Sequence, residues 1–159
     1  MFLQVVLLSI LGFIFYQDLK YRALHILLPI LILIVGSLLL HFPLNLILKN
    51  ALVNICFFLF IFGAMVLYMR IRHKNFANPL QAYFGLGDVL FFVSITPLFE
   101  LKKYLVFLIT SMLFAIILYF LFLKEKEIKS IPLAGFSSIL LGFILIVKNF
   151  LEPFFLLLC

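Results

Sequence analysis

Charged residues are scarce in this chain. Only 11% of its 159 residues are charged, whereas 67% are hydrophobic. This composition excludes a soluble domain, which needs more polar surface at this length. Apolar runs near the roughly 20 residues that cross a bilayer recur along the sequence. We therefore expect a single integral-membrane domain over residues 1–159, with no second soluble domain.

Cysteine and histidine are also rare. The two cysteines, Cys56 and Cys159, are far apart in the sequence and form neither a Cys-x-x-Cys pair nor a disulfide framework. The three histidines stand alone, without the His-x-x-x-His spacing of a zinc site. We expect neither a metal nor another cofactor.

Six apolar runs predict an all-α protein with six transmembrane helices. The predicted spans are residues 1–16, 24–42, 46–69, 85–99, 104–123 and 131–147. The first run lacks both a basic segment before it and a small-residue cleavage site after it, so we expect a span rather than a signal peptide. Residues 148–159 are apolar but interrupted by Glu152-Pro153, and we expect them to lie at the interface. Asn50 and Asn54, one turn apart in the third span, are typical of interhelical hydrogen bonding.

The basic residues predict an orientation. With six spans, eight of them fall on one side and four on the other, so the first side is expected to be cytoplasmic and both termini outside. Their spread over the ends of the spans also argues against a nucleic-acid surface, despite the net charge of +6. The first group comprises Lys20, Arg22, Arg70, Arg72, Lys74, Lys124, Lys126 and Lys129, and the second Lys49, Lys102, Lys103 and Lys148.

The chain has only two aspartates, and both border apolar runs. Asp18 follows the first span and Asp88 opens the fourth, which places them on one side of the membrane at one depth. An ionisable side chain inside a membrane is costly, roughly +3 kcal/mol for Asp at the centre of a span, and its default interpretation is functional. Two carboxyls in a site of low dielectric cannot both ionise cheaply, so we expect them to share one proton. Such a pair suits aspartyl proteolysis, in which one carboxylate activates water and the other, protonated, polarises the scissile carbonyl.

Two glycines precede the second aspartate. Residues 85–88 read Gly-Leu-Gly-Asp, and Gly85 and Gly87 would let the backbone turn sharply and let a substrate backbone approach. The alternative is that these glycines allow close helix packing while Asp88 caps a helix. The sequence leaves both interpretations open.

Three segments together resemble the type IV prepilin peptidases, which are membrane aspartyl proteases with a G-x-G-D motif. Residues 85–88 match that motif, residues 18–22 (Asp-Leu-Lys-Tyr-Arg) look like the motif after the family's first span, and residues 131–136 (Ile-Pro-Leu-Ala-Gly-Phe) are similar to the stretch that opens its last span. The similarity extends over essentially the whole chain. Leu90 stands where the family usually has a basic residue, and Gly135 is followed by Phe136 instead of a second proline.

The resemblance implies a function and a location. Asp18 and Asp88 would be catalytic, with Gly85, Gly87, Arg22 and Pro132 binding substrate or supporting the motifs. The substrate would be a prepilin-like protein with a short basic leader before an apolar helix, cut at the cytoplasmic face of a bacterial inner membrane. The expected partners are this substrate and the membrane lipid, and no nucleic acid is expected to bind. The alternatives are a non-catalytic scaffold of a pilus or secretion system, and a small transporter that uses the aspartates as a proton relay.

Overall fold

The described chain is entirely helical. A computed structural model describes residues 2–21, 23–40, 42–72, 85–122 and 132–155, and within these ranges it contains no strand. Six α-helices and one short 3₁₀ turn follow in order: α1 Phe2–Tyr21, α2 Leu27–Leu39, α3 Leu44–Arg72, α4 Leu86–Ser94, the 3₁₀ turn Thr96–Leu98, α5 Leu101–Phe122 and α6 Leu133–Phe155. The predicted helical class is confirmed for these residues.

Three of the helices are long and apolar enough to cross a membrane. They are Phe2–Tyr21, Leu44–Tyr68 and Leu101–Leu121. At 1.5 Å per residue, 20 helical residues measure about 30 Å, the thickness of a bilayer's hydrocarbon core. The other apolar helices, Leu27–Leu39, Leu86–Leu98 and Leu133–Val147, are shorter. The chain is therefore a membrane protein, with three candidate spanning helices among the described residues.

Several helix ends differ from the predictions. Helix α1 continues to Tyr21, so Asp18 lies inside its last turn and not in the turn that was expected to follow residue 16. Helix α3 continues to Arg72, three residues beyond the predicted end of the third span at residue 69. The predicted interruption at Glu152-Pro153 is wrong, because α6 continues to Phe155. A proline inside a helix removes one intrahelical hydrogen bond and can kink the helix without ending it.

Helix α4 ends before Pro97, short of the predicted end of the fourth span at residue 99. Its last residue is Ser94, and the chain continues as the 3₁₀ turn with Pro97 in it. An α-helix through this point would set the proline ring against the carbonyl four residues earlier. The chain direction therefore changes here, and α4 remains only 9 residues long.

Helix α1 makes the most extensive helix–helix contact in the described part of the chain. It packs most extensively on α6 and also on α2, while α4 contacts both α2 and α6. Phe91, Phe92 and Ile95, on α4 and just after it, are fully buried in this core. Many large apolar side chains point outward, as expected for helices whose surroundings are as apolar as their interior.

Asn54 joins α3 to the turn after α4. Its side-chain amide is fully buried and donates hydrogen bonds to the carbonyls of Thr96, at 2.8 Å, and Phe99, at 2.6 Å. The predicted interhelical role is therefore confirmed for Asn54. Asn50 is half-buried, and its side chain has no hydrogen bond among the described residues.

Candidate active site

Asp18 reaches the first turn of α6 from the last turn of α1. Its side chain is buried, with 6% of its surface exposed. Its Oδ2 accepts a hydrogen bond of 2.6 Å from the backbone N–H of Gly135. The first amides of a helix have no partner within the helix, so a carboxylate supplied by another helix satisfies one of them.

Asp88 reaches the same turn from the first turn of α4. Its Oδ1 accepts a hydrogen bond of 2.7 Å from the backbone N–H of Ala134. Its Oδ2 accepts a longer bond, 3.2 Å, from the N–H of Gly85, directly before its own helix. Asp88 therefore caps α4 and binds α6 with one carboxylate, and it is only half-buried.

The structure thus brings the two aspartates together. They are 70 positions apart in the sequence, yet they accept hydrogen bonds from consecutive amides, those of Ala134 and Gly135. The N-terminus of a helix carries a partial positive charge that stabilises a nearby carboxylate, by up to ~2 kcal/mol in partly buried geometries. The beginning of α6 therefore stabilises one ionised carboxylate, while repulsion between like charges disfavours ionisation of the second carboxyl beside it.

Pro132 stands directly before α6. It is fully buried, and its carbonyl accepts the N–H of Phe136 at 3.2 Å. A proline at the beginning of a helix fixes the backbone and removes an N–H that would need a partner. Pro132 thus defines the turn whose next amides bind the carboxylates.

The two glycines of the Gly-Leu-Gly-Asp segment differ. Gly85 has an extended backbone, with φ −67° and ψ 139°, and comes just before α4. Gly87 lies within α4, where an added Cβ would come within 2.9 Å of the Cβ of Leu24. The backbone of Gly87 is helical, which agrees with the interpretation that this glycine allows close helix packing. Its lack of a side chain lets α4 lie against the segment that leads into α2.

Sequence reasoning missed the partners of the carboxylates. Ala134 and Gly135 act through backbone N–H groups, which every residue except proline carries and which leave no mark in the sequence. The available signal was the small-residue pair that follows Pro132 at the beginning of an apolar run. Arg22, which the resemblance names as a supporting residue, lies outside the described residues.

No group of three or more histidine, cysteine, aspartate or glutamate side chains lies together in the described part of the chain. Comparisons with protein-family models, with curated proteins and with solved structures each found no match. The functional argument therefore depends on the residues of this site and on the motifs that carry them.

Proposed function

We propose that this protein is a membrane aspartyl endopeptidase of the prepilin peptidase kind, with Asp18 and Asp88 as its catalytic pair. The observation that carries the proposal is the convergence of these carboxylates, from α1 and α4, on consecutive amides of α6. They are the chain's only aspartates. The resemblance of the three segments around them to the prepilin peptidase motifs supports the same activity.

The proposed reaction needs one ionised and one protonated carboxyl. The ionised member takes a proton from water, and the resulting nucleophile attacks the scissile carbonyl. The protonated member donates to the carbonyl oxygen, and a proton then passes to the leaving amine as the C–N bond breaks. The product is a new carboxyl group on the leader and a new amino terminus on the trimmed protein.

Asp88 is the better candidate for the ionised member. Both of its oxygens accept backbone N–H groups, from Ala134 and Gly85. Hydrogen bonds donated to a carboxylate favour its charged form. Asp18 is more buried, which favours the neutral form, so we assign to it the shared proton.

The topology of the proposal is six spans with both termini outside. The asymmetry of eight basic residues against four supports this orientation and assigns the aspartates to the cytoplasmic side. The substrate is a prepilin-like protein whose basic leader remains in the cytoplasm while its apolar helix enters the membrane. The membrane is the bacterial inner membrane.

The test replaces each aspartate with asparagine. Asparagine keeps a carbonyl oxygen that can accept the N–H of Ala134 or Gly135, but it cannot take or give the catalytic proton. Asp18→Asn and Asp88→Asn should each lower turnover of a prepilin-like substrate by roughly 10²- to 10⁴-fold. The double variant should lose little more, because the two residues act as one unit.

Glu100→Gln provides the control, since Glu100 is an exposed carboxylate that follows the 3₁₀ turn. It should cleave at the parent rate. Thermal unfolding in detergent should be similar for the parent and the asparagine variants. If Asp18→Asn or Asp88→Asn cleaves near the parent rate, the carboxylates only cap helices and the aspartyl mechanism is wrong. If the parent itself cleaves nothing, the scaffold alternative is favoured.

A further inference from the structure

The contact between Asp18 and α6 requires a residue without a side chain at position 135. An added Cβ on Gly135 would lie 3.1 Å from Oδ2 of Asp18 and 3.2 Å from its Cβ. Both separations are tighter than ordinary contacts, and both involve a side chain that is already buried. Asp18 therefore cannot keep its place if position 135 carries a methyl group.

The same glycine also holds Asp18 by hydrogen bonding. Its N–H donates to Oδ2 at 2.6 Å. The N–H fixes the carboxylate from one direction, and the absence of a Cβ leaves the space in which the carboxylate sits. Position 135 therefore favours glycine, because its N–H binds the Asp18 carboxylate and an added Cβ would press on Oδ2 and Cβ of the same side chain.

We propose that Gly135 is a positioning residue for the reaction, acting through Asp18. This inference rests on the proposed function, because it assigns to Gly135 the placement of one of the two catalytic carboxyls. In a site whose geometry sets the rate, a 1 Å displacement costs about 100-fold. A methyl group at position 135 would move Asp18 by a few tenths of an ångström, for which we expect roughly a tenfold loss of kcat.

Helix α6 offers a matched control. Gly142 is a glycine of the same helix, but an added Cβ there would meet only Cδ2 of Leu8 at 3.6 Å and Cδ1 of Leu11 at 4.0 Å, which are ordinary contacts. Gly135→Ala and Gly142→Ala therefore make the same chemical change on one helix. They differ in whether the added methyl group reaches the carboxylate.

The first experiment measures cleavage of a synthetic peptide that has a basic leader, a glycine and an apolar helix, by full-length protein in detergent. Gly135→Ala should lower kcat about tenfold and leave KM within about twofold, because the substitution displaces a reacting group and not a binding surface. Gly142→Ala should match the parent in both constants. A parent-like kcat for Gly135→Ala, or an equal loss in both variants, would overturn the positioning role while the peptidase activity of the parent still stands.

The second experiment tests the contact without any reaction. In a background with Cys56→Ser and Cys159→Ser, the pair Asp18→Cys and Gly135→Cys should oxidise to a disulfide. The two Cβ positions are 3.2 Å apart, a few tenths of an ångström below the roughly 3.5–4.5 Å found across disulfides. Because these positions are buried, labelling is carried out after the protein is unfolded in SDS, and the readout is loss of maleimide labelling that a reductant restores. The control pair, Asp18→Cys with Gly142→Cys, should remain fully labelled.

The two experiments separate the possible failures. If the first pair stays reduced in protein that accumulates normally, the contact is wrong and the inference is overturned. If the disulfide forms but the parent cleaves nothing, the proposed function is wrong, and Gly135 then only supports the packing of α1 on α6.

Discussion

Replacing Asn54 with alanine should destabilise the fold by an amount that the structure lets us estimate. The fully buried Asn54 amide donates to the carbonyls of Thr96 and Phe99, at 2.8 Å and 2.6 Å. Asn54→Ala removes both donors and leaves two carbonyls without them. Interhelical hydrogen bonds in membrane proteins average about 0.6 kcal/mol, with a maximum near 1.7 kcal/mol. Two such bonds predict a loss of roughly 1–3 kcal/mol in the free energy of unfolding.

One feature of Asn54 lowers this estimate. Its Oδ1 is buried without a hydrogen-bond partner in the described structure, so the parent already carries the desolvation cost of that oxygen. Alanine removes this cost along with the favourable bonds. We therefore expect a value toward the lower part of the range.

The assay is reversible unfolding of the purified protein in mixed micelles of increasing denaturant content. Asn50→Ala is the matched control, because Asn50 is the same residue type one turn earlier on α3 but has no side-chain hydrogen bond among the described residues. It should lower stability by no more than about 0.5 kcal/mol. Equal losses for Asn50→Ala and Asn54→Ala would refute the reasoning, since the two bonds to the 3₁₀ turn would then contribute nothing.

Two further predictions concern α4 and the orientation of the chain. Gly87→Val should abolish cleavage of a prepilin-like substrate while the protein still accumulates, because the valine side chain would collide with Leu24 and displace α4. Gly63→Val should be tolerated, since an added Cβ there meets nothing within 4 Å. Activity in both variants would contradict the packing role of Gly87. In a background with Cys56→Ser and Cys159→Ser, single cysteines placed in residues 73–81 should react with a membrane-impermeant maleimide only after the cells are permeabilised. Labelling in intact cells would contradict the orientation derived from the basic residues.

Most of the helices could be predicted because long apolar runs in a membrane protein form helices. The residues at which the helices begin and end were predicted less accurately. The turn of α1 that contains Asp18 looks like a loop by composition, because Gln17, Asp18 and Lys20 follow one another closely. It is helical because the polar group within it has a tertiary partner, the amide of Gly135, which composition does not reveal.

The candidate site was predictable only in its side chains. Counting basic residues assigned Asp18 and Asp88 to one side of the membrane, and the structure brings them to one turn. The two interpretations of Gly87 could not be separated from the sequence, since a glycine needed for helix packing and one needed for substrate approach look alike. In the resting structure the contact with Leu24 favours the helix-packing interpretation, because the space that a side chain at position 87 would need is occupied by Leu24.

The position of the carboxylates has a consequence for how the site forms. The amides of Ala134 and Gly135 belong to the first turn of α6, but their acceptors are on α1 and α4. These two amides therefore meet their acceptors only when three helices have come together, and the two carboxylates meet only in the same state. Asn54→Ala removes the hydrogen bonds that hold the turn after α4, at the opposite end of this helix from Asp88. A substitution that loosens α4 in this way should therefore disturb the site by displacing Asp88. Under the proposed function, turnover per molecule should fall in Asn54→Ala and remain at the parent level in Asn50→Ala. A loss of stability without any loss of turnover would show that the 3₁₀ turn and the site are independent.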